Sequence, residues 1–372
     1  MRVCIVTPYD LSHEGGVNTH VRSLAQELLG LGHLAQVVGP ASGQVPEGCV
    51  GLRGVVAVRG NGSVARIGLL VSPRATREHL SARDYDVVHV HEPIVPGPGR
   101  HAVRFSRVPV VATFHANAER ELSLQRVLRR FASAGLSRIT RGIAVSRAAK
   151  RFSRAVYRGR TAVIPNGVDL SRFAGPASPG PRPGQPLRIL FVCRFGEQRK
   201  GFSALLEAAA VLSGRGRAVR ISVVGDGPVD RFAGRAERLG VEFLGRLPDG
   251  ELAAQYRSSD VFCAPSIGGE SFGMVIVEAM ASGCPVVASA LPGYAEAARG
   301  AALLVPPADP LALAEALWRV GQTPELRARL VARGLDRADA LSWSRVAERV
   351  AHVYEAAVAQ NSLLLQAAPQ PA

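Results

Sequence analysis

The segment Gly268-Gly269-Glu270-Ser271-Phe272-Gly273-Met274-Val275-Ile276-Val277-Glu278-Ala279-Met280 concentrates the residue types that handle a polar, phosphorylated ligand. It follows an apolar strand-like run, Val261 to Pro265. Glycines let backbone approach a ligand closely, and a helix starting near Ser271 would turn free amides toward a phosphate. Glu270 precedes that helix and Glu278 lies about two turns inside it. One carboxylate is thereby placed to reach a sugar and the other a ribose diol, and acceptor-only groups suit hydroxyl-rich ligands.

A second constellation, Cys193-Arg194-Phe195-Gly196-Glu197-Gln198-Arg199-Lys200-Gly201, also follows a strand. A departing diphosphate needs cations for its developing charge, and Arg194 and Lys200 stand where the strand ends. Only Lys150 and Lys200 are lysine among the 45 basic residues, which points to a need for a compact ammonium at Lys200. Near the N-terminus, His13-Glu14-Gly15-Gly16-Val17-Asn18 follows the first strand and opens a helix, so its amides can face an anion. His115 ends the run Val110-Val111-Ala112-Thr113-Phe114, and a strand terminus is where a site residue is expected. Asp84-Tyr85-Asp86, the one tight Asp-x-Asp, runs straight into a buried strand and reads as a strand start. No metal ligand is expected.

The elements that must position these residues form two series. Short apolar runs alternate with helical patterns at 2–8, 34–40, 86–91, 108–114, 141–146 and 161–165, then again at 187–193, 218–224, 241–244, 260–264, 285–289 and 302–305. That rhythm predicts parallel strands with crossover helices. Between the series, residues 174–186 are too rich in proline and glycine for helix or central strand and read as a linker. The fold class expected is α/β, two doubly wound Rossmann-like domains with a cleft between them that should hold the chemistry and close on ligand. The first spans 1–170, the second spans 171–343, and a helical stretch at 344–360 packs back on the first. From Asn361 the tail is expected to fray.

At 372 residues with 47% hydrophobic and 20% charged, the chain is globular, and no apolar run approaches the length needed to span a bilayer. Five scattered cysteines without a CxxC pair read as small buried hydrophobes in a reducing compartment. The start of the chain lacks the pattern of a secretory leader, which gives an expectation of a cytoplasmic or peripheral protein. The net charge of +15 is uneven: residues 101–160 carry 14 Arg or Lys against Glu119 and Glu121. Nucleic-acid binding fits that charge, yet the stretch has little aromatic interleaving and no recognition motif. A nicotinamide-binding protein is disfavoured because neither series has GxGxxG after its first strand.

Together the Gly-Gly turn, the Arg/Lys pair and the Glu-x7-Glu signature, in this order, resemble the GT4 family of retaining glycosyltransferases, of GT-B fold. Within it the likeness is strongest to the phosphatidyl-myo-inositol mannosyltransferases of actinobacteria, through Pro8-Tyr9, Gly15-Gly16-Val17, Asn61 to Arg66, His91-Glu92-Pro93, Ala112 to His115, Ile164 to Asp169 and Gly268 to Met280. The resemblance implies that Gly16, Arg194 and Lys200 hold the diphosphate, and that Glu270 with Ser271, Phe272 and Gly273 meets the donor sugar. It further implies Glu278 on the ribose, His115 beside donor and acceptor, and an acceptor site of Tyr9, Asn18, Asn61, Ser63, Arg66 and Arg120. Catalytic roles fall to His115, Arg194, Lys200 and Glu270. The implied donor is GDP-mannose, with no other cofactor; the implied acceptor is a phosphatidylinositol-type lipid at the cytoplasmic membrane face. The family departs from this chain at Asn18, Ala116 and Arg120, all on the acceptor side.

By the same resemblance the anomeric configuration is retained by same-face attack, without an enzyme nucleophile, so the carboxylate pair of glycoside hydrolases is not expected. A GT4 transferase using a UDP-sugar and another acceptor, or a sugar-nucleotide epimerase, would keep the architecture and change the reaction. Membrane contact is expected through Glu119 to Phe131, where Leu124, Val127, Leu128 and Phe131 recur at helical spacing with Arg120, Arg126, Arg129 and Arg130 around them, and through Arg74, Arg77 and Arg83.

Overall fold

The computed structural model describes residues 1–60, 63–115, 135–181 and 184–367. These divide into two compact units, Met1–Gly167 with Trp343–Ala372, and Val168–Ser342.

Unit 1 alternates strand and helix in the order β1 (Arg2–Val6), α1 (Gly16–Gly30), β2 (Leu34–Pro40), β3 (Cys49–Leu52), β4 (Val56–Gly60), β5 (Ser63–Ile67), α2 (Pro73–Ser81), β6 (Val87–His91), α3 (Pro98–Phe105), β7 (Val110–Phe114), β8 (Ile139–Ala144), α4 (Arg147–Ser153) and β9 (Thr161–Val163). Seven strands form one parallel sheet in the order β3-β2-β1-β6-β7-β8-β9. The period of two in each strand supplies two cores. Val3 and Ile5 face one layer with Leu24 and Leu28 of α1, while Cys4 and Val6 face the other with Ala102 and Val103 of α3.

Unit 2 continues with α5 (Leu170–Phe173), β10 (Leu187–Val192), α6 (Phe202–Gly214), β11 (Val219–Val224), α7 (Val229–Arg238), β12 (Val241–Gly245), α8 (Asp249–Ser258), β13 (Val261–Ala264), α9 (Met274–Ala281), β14 (Val286–Ser289), α10 (Pro292–Ala298), β15 (Ala302–Val305), α11 (Pro310–Gln322) and α12 (Pro324–Asp339). Its six strands are parallel in the order β12-β11-β10-β13-β14-β15. Each sheet reverses its strand order once, between β1 and β6 and between β10 and β13. Ligands of such sheets sit beyond the carboxyl ends of the strands at that point.

Three local differences from the sequence reading have physical causes. Strand β3 and the antiparallel hairpin β4–β5 were missed. Asn61-Gly62 between the hairpin's arms is the usual signal for a two-residue hairpin and would have found it. The helix after the double glycine begins at Met274, not Ser271, because Gly273 takes φ +91 and Phe272 turns into the core at 1% exposure. Glu278 is therefore just over one turn into α9 rather than two. Finally, α13 (Trp343–Ala367) continues past Asn361, where fraying was expected. Its Trp343, Val346, Val350 and Tyr354 pack into the core that α1 shares, and this apolar stripe makes the helix part of unit 1.

Candidate functional site

In unit 2 the predicted residues converge at the strand-order reversal. The loop after β10 and the loop after β13 are stitched together by backbone: Ile267 donates to the Arg199 carbonyl at 2.8 Å. Gly201 makes the approach possible. It sits at φ +75, and a Cβ there would lie 1.9 Å from the Pro265 carbonyl oxygen. The stitching delivers Lys200 to Glu270 with Nζ 2.5 Å from Oε1. Arg199 reaches the same oxygen at 3.2 Å, and Ser266 donates to it at 3.2 Å. Ser266 is itself hydrogen bonded to Tyr294 at 2.8 Å.

Arg194 stands one link away. It pairs with Glu197 at 3.2 Å, and Glu197 pairs with Arg199. Three cations are thus gathered at the end of β10 and held by two carboxylates. Such an arrangement can take up negative charge on a ligand. Phe272 contributes backbone only, since its ring is in the core; Ser271 and Gly273 flank it. Glu278 accepts a hydrogen bond from Tyr256 at 3.0 Å, and burial raises its carboxyl pKa while the Tyr256 hydroxyl opposes the rise. The sequence reading missed Glu197, Arg199, Ser266 and Tyr294. Position at a strand end marks the first three, and no sequence signal marks Tyr294.

In unit 1 the second group lies beyond β1, β6 and β7. Gly15 is extended at φ −176 and α1 begins at Gly16 with no side-chain cap. A Cβ at either glycine would meet nothing within 4 Å. Neither backbone strain nor packing requires glycine here, so the open space is what a closely approaching ligand would use. Gly16→Ala should therefore leave the melting temperature nearly unchanged while raising KM for the nucleotide donor about tenfold or more, because one methyl enters the approach path. Thermal melts beside steady-state kinetics check this, and an unchanged KM would place the diphosphate elsewhere.

Asn18 is buried and committed to the loop: Nδ2 donates to the carbonyls of Asp10 at 2.8 Å and His13 at 3.1 Å, and Oδ1 accepts from Thr7 at 3.2 Å. Asp10 is desolvated, yet hydrogen bonds from Ser42 and Ser12 hold its pKa below the ordinary value. Asp10 also meets His13 at 3.0 Å, and His13 meets Arg66 of β5 at 2.8 Å. Tyr9 bridges to Ile67, and burial followed by the Glu92 charge raises its hydroxyl pKa. Ser63 lies on β5 opposite Gly60. Asn61, Arg120 and the whole stretch Glu119 to Phe131 lie outside the described residues.

His115 belongs to a cluster of imidazoles. Its Nε2 is 2.9 Å from His91 Nδ1, and its backbone N–H donates to Glu92 at 2.7 Å. His20 packs edge-on at 4.8 Å between ring centroids. His89 bonds Tyr354 and Thr113, each at 2.7 Å. Desolvation, followed by the neighbouring imidazoles, pushes His91 and His115 well below the usual pKa, so both rings are neutral at pH 7. Glu92 adopts φ 48, a left-handed conformation that non-glycine residues hold only where surroundings over-determine it. Donor atoms of His20, His91 and His115 lie within 4.8 Å of one another and could hold a metal ion, a grouping the sequence reading did not foresee. His89 and His91 alternate in β6 and so share a face, a period-two signal hidden within an apolar strand.

Comparison with known proteins gives this geometry its context. Residues 14–172 match the model of Glycosyltransferase Family 4, and residues 186–323 match that of Glycosyl transferases group 1. A phosphatidyl-myo-inositol mannosyltransferase of Mycobacterium tuberculosis is 38% identical over 369 residues, covering 95% of this chain and 97% of the relative. One of Mycolicibacterium smegmatis is 39% identical over 367 residues, covering 95% and 94%. The chain belongs to the phosphatidyl-myo-inositol mannosyltransferase family. It is a glycosyltransferase of GT-B fold. Sucrose-phosphate synthase from Thermosynechococcus elongatus shares that fold with a TM-score of 0.75 at 23% identity, over 97% of this chain and all of the neighbour. WaaG, a glycosyltransferase involved in lipopolysaccharide biosynthesis, does so with a TM-score of 0.65 at 20% identity, over 94% and 99%. In this chain the cation cluster of unit 2 and the imidazole cluster of unit 1 are the two places where chemistry is to be sought.

Proposed function

We propose that the protein transfers mannose from GDP-mannose to a phosphatidylinositol-type lipid, with retention of configuration. The observation that carries this reading is the meeting of Arg199 and Lys200 on Glu270, with Arg194 one link away through Glu197, at the strand-order reversal of unit 2. The cations take the diphosphate charge as the glycosidic bond lengthens, Glu270 accepts from sugar hydroxyls, and Glu278 accepts from the ribose. His115, neutral, offers a hydrogen bond rather than a charge. Same-face attack lets the departing diphosphate receive the acceptor's proton, so no enzyme nucleophile enters; the reading calls on no cofactor beside the donor. Tyr9, Asn18, Ser63 and Arg66, with Asn61 and Arg120, form the acceptor side; Asn18 acts there by holding the β1–α1 loop.

Calorimetric titration tests the donor: GDP-mannose should bind at least tenfold more tightly than UDP-glucose, and the reverse order would favour a UDP-sugar transferase of the same family.

A lipid acceptor together with a sugar-nucleotide donor supports work at the cytoplasmic face of the cell membrane. No helix among the described residues is long and apolar enough to cross a membrane; the attachment proposed is peripheral. Arg74, Arg77 and Arg83 are exposed, with Arg74 paired to Glu78 at 2.6 Å. Basic side chains near an anionic surface each contribute about 1 kcal/mol, screened by salt. The protein is expected to sediment with anionic vesicles at low salt, to release as salt rises, and to ignore neutral vesicles. Equal indifference to both vesicle types would favour a soluble acceptor.

A further inference from the structure

The basic residues of the first half do not all belong to the donor site or to the proposed membrane face. Five of them meet around one cavity of about 700 Å³ in unit 1: Arg141 on β8, Lys150 on α4, Arg154 just after it, and Arg158 and Arg160 before β9. His352 of α13 completes the wall, and among the described residues no carboxylate lines it. On that helix Glu355 lies 3.1 Å from His352.

Several arginines elsewhere have acids. Arg188 pairs with Asp260, Arg215 and Arg217 share Glu315, Arg220 takes Glu242, and Arg246 takes Asp226. Among the described residues none of the five cations of the cavity has a carboxylate partner, and the Arg141 Nε is buried without any hydrogen-bond partner. An arginine-rich composition accounts for many arginines, but not for unpaired cations converging on a concave surface where they repel one another. The cavity lies at the amino ends of β8 and β9, the end of the sheet opposite to His91 and His115.

We propose that this cavity is a binding site for a phosphate-bearing anion, separate from the donor and acceptor sites. Guanidinium forks match phosphate oxygens two at a time, and Lys150 adds a point charge. The volume is within the range of sites that enclose a small ligand and exceeds the need of one phosphate. A diphosphate-sized solute or the headgroup of an anionic phospholipid supplies the same chemistry. The inference does not rest on mannosyl transfer.

Inorganic pyrophosphate is the first probe, used on the full chain in thermal shift and titration calorimetry. The pocket variant is Arg158→Glu with Arg160→Glu; a charge-matched control is Arg238→Glu with Arg329→Glu, exposed residues of unit 2. All these side chains are on the surface, so melting without ligand should change little in either variant. Pyrophosphate should raise the melting temperature of the wild type and the control by roughly 3 °C or more at saturation, and affinity should fall at least tenfold in the pocket variant. Pyrophosphate held by Lys200 and its neighbours remains in every variant, so only the part lost with Arg158 and Arg160 reports on this cavity. The second arm compares dihexanoyl phosphatidic acid with dihexanoyl phosphatidylcholine below their micelle concentrations. Tighter binding of the phosphatidic acid than of pyrophosphate identifies a lipid headgroup, and the opposite order a soluble phosphate; both uphold the site. Equal shifts and affinities in wild type, control and pocket variant overturn it, as does the absence of any shift.

Discussion

Lys200→Ala is expected to lower kcat by a factor of about one hundred to one thousand, the effect of about 2.7 to 4 kcal/mol that loss of one preorganised charge contact has on a reaction barrier. Glu270→Ala should do the same. The two side chains meet at 2.5 Å, with exposures of 17% and 10%, so neither is a loose surface charge. Removing Lys200 leaves Glu270 with Arg199 and Ser266, and the fold should survive; removing Glu270 leaves two cations facing each other without their shared acceptor. Melting curves separate lost chemistry from lost structure. Near wild-type turnover in either folded variant would sink the assignment of the donor site.

That pair was legible in the sequence because Lys200 and Glu270, though 70 residues apart, each follow a strand end. Parallel-sheet topology puts the exits of β10 and β13 side by side. What surrounds the pair was less visible. Tyr294 arrives on α10, and nothing about its spacing announces the bond to Ser266. Asn18, read as an acceptor ligand, turns out to have its hydrogen-bonding capacity taken by Thr7, Asp10 and His13, contacts that depend on how the loop folds back. His20 was hidden on α1 because a lone helical histidine is ordinarily a packed imidazole, and only the tertiary fold brings it to His91 and His115.

The same cluster makes unit 1 sensitive to acid. Burial lowers the pKa of His20 to about 4 and of His89 to about 3, and lowers that of His91 well below its usual value. Below pH 6.5 the unfolded chain binds protons that these folded rings refuse. Their contribution is therefore complete above about pH 6.5 and is lost as pH falls toward the folded values. Each ring that must take up a proton on unfolding adds to the loss as pH falls below about 6.5.

Unit 2 has no such liability in this range. Its Asp260 is desolvated but held below the ordinary carboxylate value by hydrogen bonds and the charge of Arg188, so its contribution is lost only at lower pH. Glu278 is shifted the other way. Trp343, edge-on to His20 at 4.9 Å between ring centroids, reports on unit 1 once Trp318 is replaced by phenylalanine. Its fluorescence should show unit 1 unfolding on acidification at a higher pH than circular dichroism shows loss of unit 2. A transition of unit 1 confined below pH 4 would mean that the cluster is hydrated or charged in the native state.

The central claim is the transfer itself. The purified protein should be given GDP-mannose, UDP-glucose or UDP-N-acetylglucosamine with phosphatidylinositol in mixed vesicles, and the lipid products weighed by mass spectrometry. The predicted result is a lipid heavier by one hexose, formed with GDP-mannose and absent with both UDP-sugars, with an α-linkage that preserves the donor's configuration. A hexosylated product from a UDP-sugar alone, or donor turnover that leaves phosphatidylinositol unmodified, would contradict it.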